Sequence, residues 1–355
     1  MSATPNADAP RLNVLISAAG RRNYLVTWFR EALVANGLSG TVIVADADRN
    51  APARAAADVA CDLPSIDDPA YESALLTLCR ERSVNLALSL NDHELSHWAT
   101  LDRSQFEALS VTLLSLPAAG QEMVEDKLLM ASRLSDAGLR VPPTSTAASV
   151  VSHGVDPAVL GERVILKNRF GSGSRGLVMS SPSKLMDDIA RSAPHAVNRL
   201  GRPVSGPAEG TECLVVQRYV DGTEHGLDCV NDLTGRFAAV LARRKLRMRA
   251  GETDQAQSES AERFTDLGKG LSAALGHRGL VDCDAIEDAS GDQWLIDVNP
   301  RFGGGYPFSH LAGANIPAAY VAWMCGREPD ASWLTCRPGV LSAKHIAITT
   351  VRVDG

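Results

Sequence analysis

Three short apolar runs, residues 12–17 (LNVLIS), 41–45 (TVIVA) and 84–90 (VNLALSL), set the architecture of the first third of the chain. Amphipathic stretches separate them, from Asn23 to Asn36 and over 69–82, and a further helix starts near residue 92. Strands alternating with helices at this spacing predict a parallel sheet wrapped by helices. Ligand groups then belong at the C-terminal ends of the strands, near Gly20, Asp46 and Asn91-Asp92.

Near Gln121 the pattern changes. Glu125 to Ala137 reads as a helix, closed by Gly138 and stopped by Val141-Pro142-Pro143. Hairpin-like strands follow at 163–167, 176–180, 213–220, 225–231, 236–249, 280–286 and 293–298, with a Pro-, Gly- and Ser-rich loop over 195–211. The fold class expected is α/β plus α+β. The net charge of −7 argues against broad binding to nucleic acid or anionic membrane. No apolar run reaches the roughly 18–20 residues needed to span a bilayer. The first residues, Met1 to Pro10, read as a polar disordered leader, and the seven scattered cysteines as reduced thiols of a cytoplasmic protein.

The stretch Gly279 to Gly305 (GLVDCDAIEDASGDQWLIDVNPRFGGG) carries the strongest chemical signal. With Ser290-Gly291 as a two-residue hairpin loop, Asp284 faces Asp297 and Asp282 faces Asn299. Three carboxylates and an amide then share one sheet face, a patch that wants a divalent cation. All-oxygen ligands select Mg²⁺ or Mn²⁺. Arg301 and the glycines Gly303 to Gly305 set a fixed cation and an anion-friendly backbone beside it.

A second signal is VILKNRFGSGSRGL at 164–177, where Lys167 ends a strand and Gly171, Ser172, Gly173 and Ser174 open a turn able to approach phosphate oxygens. The order is not that of a P-loop, because the lysine precedes the glycines. In 243–249 (RRKLRMR), Arg243, Lys245, Arg247 and Arg249 share one strand face, which points to a polyanion or carboxylate in a cleft.

Taken together, these pieces resemble the ATP-grasp superfamily, in particular small carboxylate–amine ligases similar to the synthetase domains of carbamoyl phosphate synthase. The resemblance runs from about residue 12 to 345. It implies a Rossmann-like pre-ATP-grasp domain at 12–120 after a leader at 1–11, a small lid subdomain at 121–205, and a large subdomain with the metal site at 206–355. DKLLMASRLSDAGLRVPP (126–143) looks like the opening of the module, which puts Lys127 on ATP beside Lys167 and the lid glycines. VVQRYVDGTEHGLDCV (215–230) is similar to the adenine hinge, with Gln217, Arg218, Tyr219 and Val220 at the base and Glu224 toward the ribose. LIDVNPRFGGG matches the carboxylate-x-Asn-Pro-Arg signature, with Asp297 where Glu is usual, a shorter arm that shifts one metal.

What the resemblance implies is an ATP- and Mg²⁺-dependent enzyme that phosphorylates a carboxylate to an acyl phosphate, which an amine attacks to form an amide. Asp284, Asp297 and Asn299 hold the metal, Lys245 joins the ATP contacts, and Arg301 stabilises the tetrahedral oxyanion. Arg21, Arg22, Asp92, Glu94, Arg247, Arg249, Gly303 and Gly304 are the candidate substrate contacts. Both substrates are expected to be amino acids or short peptides, and a homodimer is left open.

Three rivals compete. His93-Glu94-Leu95-Ser96-His97 is an HExxH string, the pattern of zinc peptidases, set against a bland helix capped by Asp92. A dehydrogenase would use Gly20 and Asp46, but GxGxxG is absent. An ATP-binding sensor without catalysis is the third, and the intact Asp284, Asp297, Asn299 and Arg301 set speaks against it.

Overall fold

The computed structural model describes residues 10–154, 156–171 and 176–351. The first sheet is parallel, ordered β3-β2-β1-β4-β5, from β1 (Val14–Ser17), β2 (Val42–Asp46), β3 (Val59–Asp62), β4 (Leu86–Ser89) and β5 (Thr112–Leu114). Helices α1 (Asn23–Ala35), α2 (Tyr71–Glu81), α3 (Asp92–Trp98) and α4 (Arg103–Ala108) belong to the same unit. The three inner strands are covered on both faces, so they read as unbroken apolar runs. The two edge strands are short, and neither forms an apolar run in the sequence.

Two helices follow where one was expected. α5 (Ala118–Glu125) ends and α6 (Lys127–Asp136) begins around Asp126, whose backbone is extended (φ −101°, ψ 102°). Asp126 caps α6, accepting from the N–H groups of Leu128 and Leu129 at 3.0 and 3.3 Å. A four-stranded antiparallel sheet comes next, ordered β6-β9-β7-β8, from β6 (Thr144–Thr146), β7 (Val164–Asn168), β8 (Val178–Ser180) and β9 (Leu214–Arg218). Helices α7 (Ala147–His153), α8 (Pro157–Leu160), α9 (Leu185–Ser192) and α10 (Pro207–Glu212) complete this lid. The last sheet is ordered β14-β13-β10-β11-β12-β15, from β10 (Gly222–Asn231), β11 (Phe237–Arg249), β12 (Glu252–Glu259), β13 (Gly279–Asp288), β14 (Gln293–Asn299) and β15 (Leu341–Ala343). With it go α11 (Thr265–Leu275), α12 (Tyr306–Leu311) and α13 (Ile316–Met324).

Core membership redraws the lid. β9 lies beyond the expected boundary at 205/206, yet it is hydrogen-bonded between β6 and β7. Met130 and Leu134 of α6, on the lid side of that division, pack with Leu271 and Val281 of the large subdomain. The lid therefore runs from about β6 to β9 and keeps its own core, which includes Val164, Leu185 and Val216. By contrast, Leu25 and Phe29 of α1 share one core with Leu241, Phe302 and Tyr320. The N-terminal and large units thus form one platform, and Arg169 of the lid is tied to Asp126 of the platform at 2.7 Å.

The carboxylate hairpin reaches the expected pairing by an unexpected route. Its loop has three residues, Ala289-Ser290-Gly291: Asp288 donates to the Asp292 carbonyl at 3.0 Å, and Gly291 sits at φ 82°. That alone would turn the carboxylates to opposite faces. A bulge leaves Ile296 without a partner and restores the register, so Asp284 pairs with Asp297 and Asp282 with Asn299. β11 has irregularities too, and they break up the expected row of four cations. Arg243 is buried and Lys245 nearly so, while Arg247 and Arg249 are exposed. Among the described residues, no helix is long and apolar enough to cross a membrane.

Candidate active site

Lys127, at the first turn of α6, and Lys167, on β7, bring positive charge onto the carboxylate hairpin from the platform and the lid. Burial pulls the Asp297 carboxyl upward, but Lys127, Lys167, Asn299 and Arg301 together outweigh it and hold the group below the usual carboxylate range. Lys167 falls to about 8, because burial outweighs support from Asp297 and Asp284, while Lys127 repels it. Its Nζ donates to Gln217 Oε1 at 2.9 Å, and Gln217 Nε2 donates to Thr144 at 2.8 Å. Lys127 Nζ donates to the Gly171 carbonyl at 2.5 Å.

The depressed Lys167 has a consequence for stability. Between about 8 and the ordinary lysine value the unfolded chain binds more protons, so the nucleotide-free protein gains stability as pH rises through that window. Lys167→Met should therefore be more stable than wild type below pH 8, by on the order of 2 kcal/mol, with the gap closing toward pH 10.5. Thermal unfolding of both proteins across this range checks it. A gap that does not change with pH would show that Lys167 is charged at no cost.

On the other side of the hairpin, Lys245 Nζ lies 2.6 Å from Asp284 and 2.7 Å from Glu224. Burial raises the Asp284 carboxyl to about 6; Lys245 opposes the rise, and the neighbouring Asp282 and Asp297 charges add to it. Asp284 and Asp297 form a carboxylate pair crowded with negative charge, and Asn299 Nδ2 donates to Asp297 at 3.4 Å while its Oδ1 accepts from Arg301. That chemistry fits Mg²⁺, which takes one or two carboxylates and draws its other ligands from water and phosphate. Among the described residues, no three His, Cys, Asp or Glu side chains come together to hold a metal. The expected third carboxylate, Asp282, is taken by another partner.

That partner is Arg243, which reading the sequence as a cation row did not single out. Its guanidinium is buried and holds Asp228 at 2.6 Å and Asp282 at 2.7 Å, and Ser309 donates to Asp228 at 2.5 Å. Arg243 starts on β11 and must cross β10 to reach Asp282 on β13. It crosses at Gly226, its register partner, where a Cβ would sit 2.8 Å from the guanidinium. A Cβ at Gly303 would fall 2.1 Å from the Asp282 carboxylate, and one at Gly305 2.2 Å from Arg243. These two glycines make room for the ion triad. Gly304 lies against Glu252 and Lys344.

Arg301 is gripped by Asp92 through two parallel bonds of 2.7 and 2.8 Å, which tie the carboxylate hairpin to the N-terminal unit. Asp92 is free to do this because Asn91, not Asp92, caps α3. Glu94 does not face the cleft. It is buried and accepts from Ser17 at 2.7 Å, Tyr71 at 2.5 Å and Ser89, and burial pushes its carboxyl up despite these donors. The HExxH string thus forms no zinc site: Glu94 is held by hydroxyls, and the His97 ring packs edge-on to Tyr71 at 5.3 Å. Asp46 is likewise engaged, accepting from the Gly20 N–H at 3.2 Å.

Gln217 and Arg218 end β9, and Tyr219 and Val220 follow it. Val220 is buried, Arg218 is exposed, and Tyr219 stacks under Arg163 at 4.2 Å. Arg22 donates to the Leu90 carbonyl at 3.4 Å at the start of α1, and Arg21 beside it is exposed. Arg247 pairs with Asp254 at 2.7 Å, and Arg249 stands opposite Glu252 at the hairpin end, so neither joins the cluster. Ser172, Gly173 and Ser174 lie outside the described residues.

Lys167 of the second sheet thus meets Lys127 of α6 over the carboxylate hairpin of the third. Residues 14–114 match the family model described as PylC-like, N-terminal domain, and residues 211–341 the model described as ATP-grasp in the biosynthetic pathway with Ter operon. Neither model spans half of the chain, and the C-terminal part is thus similar to ATP-grasp domains and the N-terminal part to PylC-like N-terminal domains. The chain is 22% identical over 226 residues to the carbamoyl phosphate synthase large chain of Clavibacter michiganensis subsp. michiganensis, covering 61% of this chain but only 20% of that protein. Its fold is similar to Campylobacter jejuni biotin carboxylase in a beta-gamma-ATP complex, with a TM-score of 0.68 at 16% identity over 91% of this chain and 73% of that one. It is also similar to the L-amino acid ligase from Bacillus licheniformis, with a TM-score of 0.61 at 18% identity over 91% and 76%.

Proposed function

We propose that the chain is an ATP-dependent carboxylate–amine ligase, forming an amide through an acyl phosphate and releasing ADP and phosphate. The observation that carries this reading is the convergence of Lys127 and Lys167 on the Asp297 side of a carboxylate hairpin. Two lysines aimed at one carboxylate suit a triphosphate bound through a divalent cation.

Asp284, Asp297 and Asn299 would hold Mg²⁺ or Mn²⁺. Bound there, the metal supplies charge neutralisation for a transferring phosphoryl group. Lys127 and Lys167, with Gly171 and the lid serines, hold the phosphates, and lid closure keeps water from the acyl phosphate. Gln217, Arg218, Tyr219 and Val220 border the adenine, and Glu224 lies toward the ribose. Lys245 neutralises Glu224 and Asp284 in the absence of nucleotide and stands ready to share ATP's charge. Arg21 and Arg22, at the start of α1, are placed for the substrate carboxylate. Arg301, its plane fixed by Asp92, is the donor for the tetrahedral oxyanion formed when the amine attacks.

An amino acid or short peptide fits both substrate roles, and the likeness to an L-amino acid ligase supports that class. Seven free thiols suit a reducing compartment and support a cytoplasmic reading. A homodimer belongs to the same reading.

ADP release with Mg-ATP against pooled amino acids and dipeptides tests the proposal. Release that needs both a carboxylate and an amine is the expected outcome. Nucleotide binding without release under any pool would favour the sensor reading instead.

A further inference from the structure

Asp126 stands between α5 and α6, only 1% exposed, and its carboxylate serves the platform and the lid at once. Oδ1 accepts from the N–H groups of Leu128 and Leu129 and from Arg169 Nε at 2.8 Å, while Oδ2 accepts from Arg169 Nη2 at 2.7 Å. Two parallel bonds from one planar guanidinium fix distance and orientation together. Burial pulls the Asp126 carboxyl upward, but Arg169 and the two α6 N–H groups outweigh it and hold the group below its usual range.

Each end of this bridge adjoins a lysine of the phosphate pair. Lys127 directly follows Asp126, and Arg169 lies two residues beyond Lys167. The backbones meet as well, since the Lys127 N–H donates to the Arg169 carbonyl at 3.1 Å. Arg169 is anchored in turn, its own N–H donating to the Cys213 carbonyl at 2.8 Å, next to β9. A second lid arginine braces the contact: Arg199 reaches Glu122 at 3.0 Å and Asp126 at 3.6 Å. The Phe170 ring carries both guanidiniums, Arg169 at 5.1 Å and Arg199 at 5.3 Å from its centre.

The ammonium groups of Lys127 and Lys167 repel each other, so the elements that carry them need an attraction elsewhere to stay together. The Asp126–Arg169 pair supplies one, and neither ammonium is spent on it: Lys127 Nζ goes to the Gly171 carbonyl and Lys167 Nζ to Gln217.

Resting on the nucleotide-binding part of the ligase reading, we infer that Asp126 and Arg169 are positioning residues, setting the separation of Lys127 and Lys167 so that both meet one triphosphate.

The test is calorimetric affinity of the full chain for the Mg²⁺ complex of an ATP analogue with a β,γ-imido bridge. Asp126→Asn keeps a good helix cap but gives up the charge shared with Arg169. It should weaken the analogue about tenfold, as should Arg169→Gln, and the double variant should lose little more than either one. In a Lys167→Met background the Asp126→Asn penalty should shrink to about twofold or less, because the lysine it positions is gone. A purely structural tie would lower the urea midpoint and leave affinity unchanged, or would cost the same with Lys167 removed. Either result, or additive losses in the double variant, overturns the inference. If the cycle behaves as expected but no carboxylate provokes ADP release, the ligase reading fails and the inference stands. Wild-type protein that binds no analogue overturns both.

Discussion

An Asp297→Asn protein is expected to lose about a thousandfold in kcat for carboxylate-dependent ADP release while keeping its fold. The substitution removes one carboxylate of the pair and leaves an isosteric side chain on the same bulged strand. It also strips Lys167 of the charge that most opposes its burial. Lys167, already near 8, then falls further, and a larger fraction is neutral at pH 7.5. The residual activity of the variant should accordingly peak at lower pH than that of wild type. Steady-state rates from pH 6 to 9 separate the two effects. A variant with wild-type kcat would remove Asp297 from the reaction.

The second large effect falls on stability. Arg243→Met leaves Asp228 and Asp282 facing each other across adjacent strands, buried and without their shared cation. Breaking a buried ion pair by removing one partner costs about 3–5 kcal/mol. The loss should appear as a lower urea midpoint, and much of it should return when Asp228→Asn and Asp282→Asn are added, since neutral amides need no counter-ion. Gly305→Ala should mimic part of the loss, because its methyl would occupy the place of the guanidinium. If Arg243→Met unfolds at the wild-type midpoint, the triad contributes no net stability.

These two sites differ in how far the sequence disclosed them. The facing of Asp284 and Asp297 could be read from hairpin geometry, but only because a three-residue loop and a bulge at Ile296 cancel. Neither departure leaves a mark in the residue types. The triad was hidden for another reason: Arg243 looks like one of four alternating cations, and nothing local says that it leans over Gly226 to β13. The signal available was the Gly226, Gly303 and Gly305 set, since glycines lining one region of a sheet mark space for a large neighbour. β12 (ETDQAQSE) was missed because it has no apolar alternation and is ordered by pairing along β11. β9 joins its sheet through non-local pairing, which periodicity cannot register. Glu94 read as a cleft residue because it follows a strand end, whereas Ser17, Tyr71 and Ser89 turn it inward.

The chemistry itself is tested most directly by oxygen transfer. With the carboxylate substrate labelled in both oxygens with ¹⁸O, turnover through an acyl phosphate delivers one labelled oxygen to each phosphate released, alongside ADP and one equivalent of amide. Unlabelled phosphate, or AMP and pyrophosphate in place of ADP, would contradict the account.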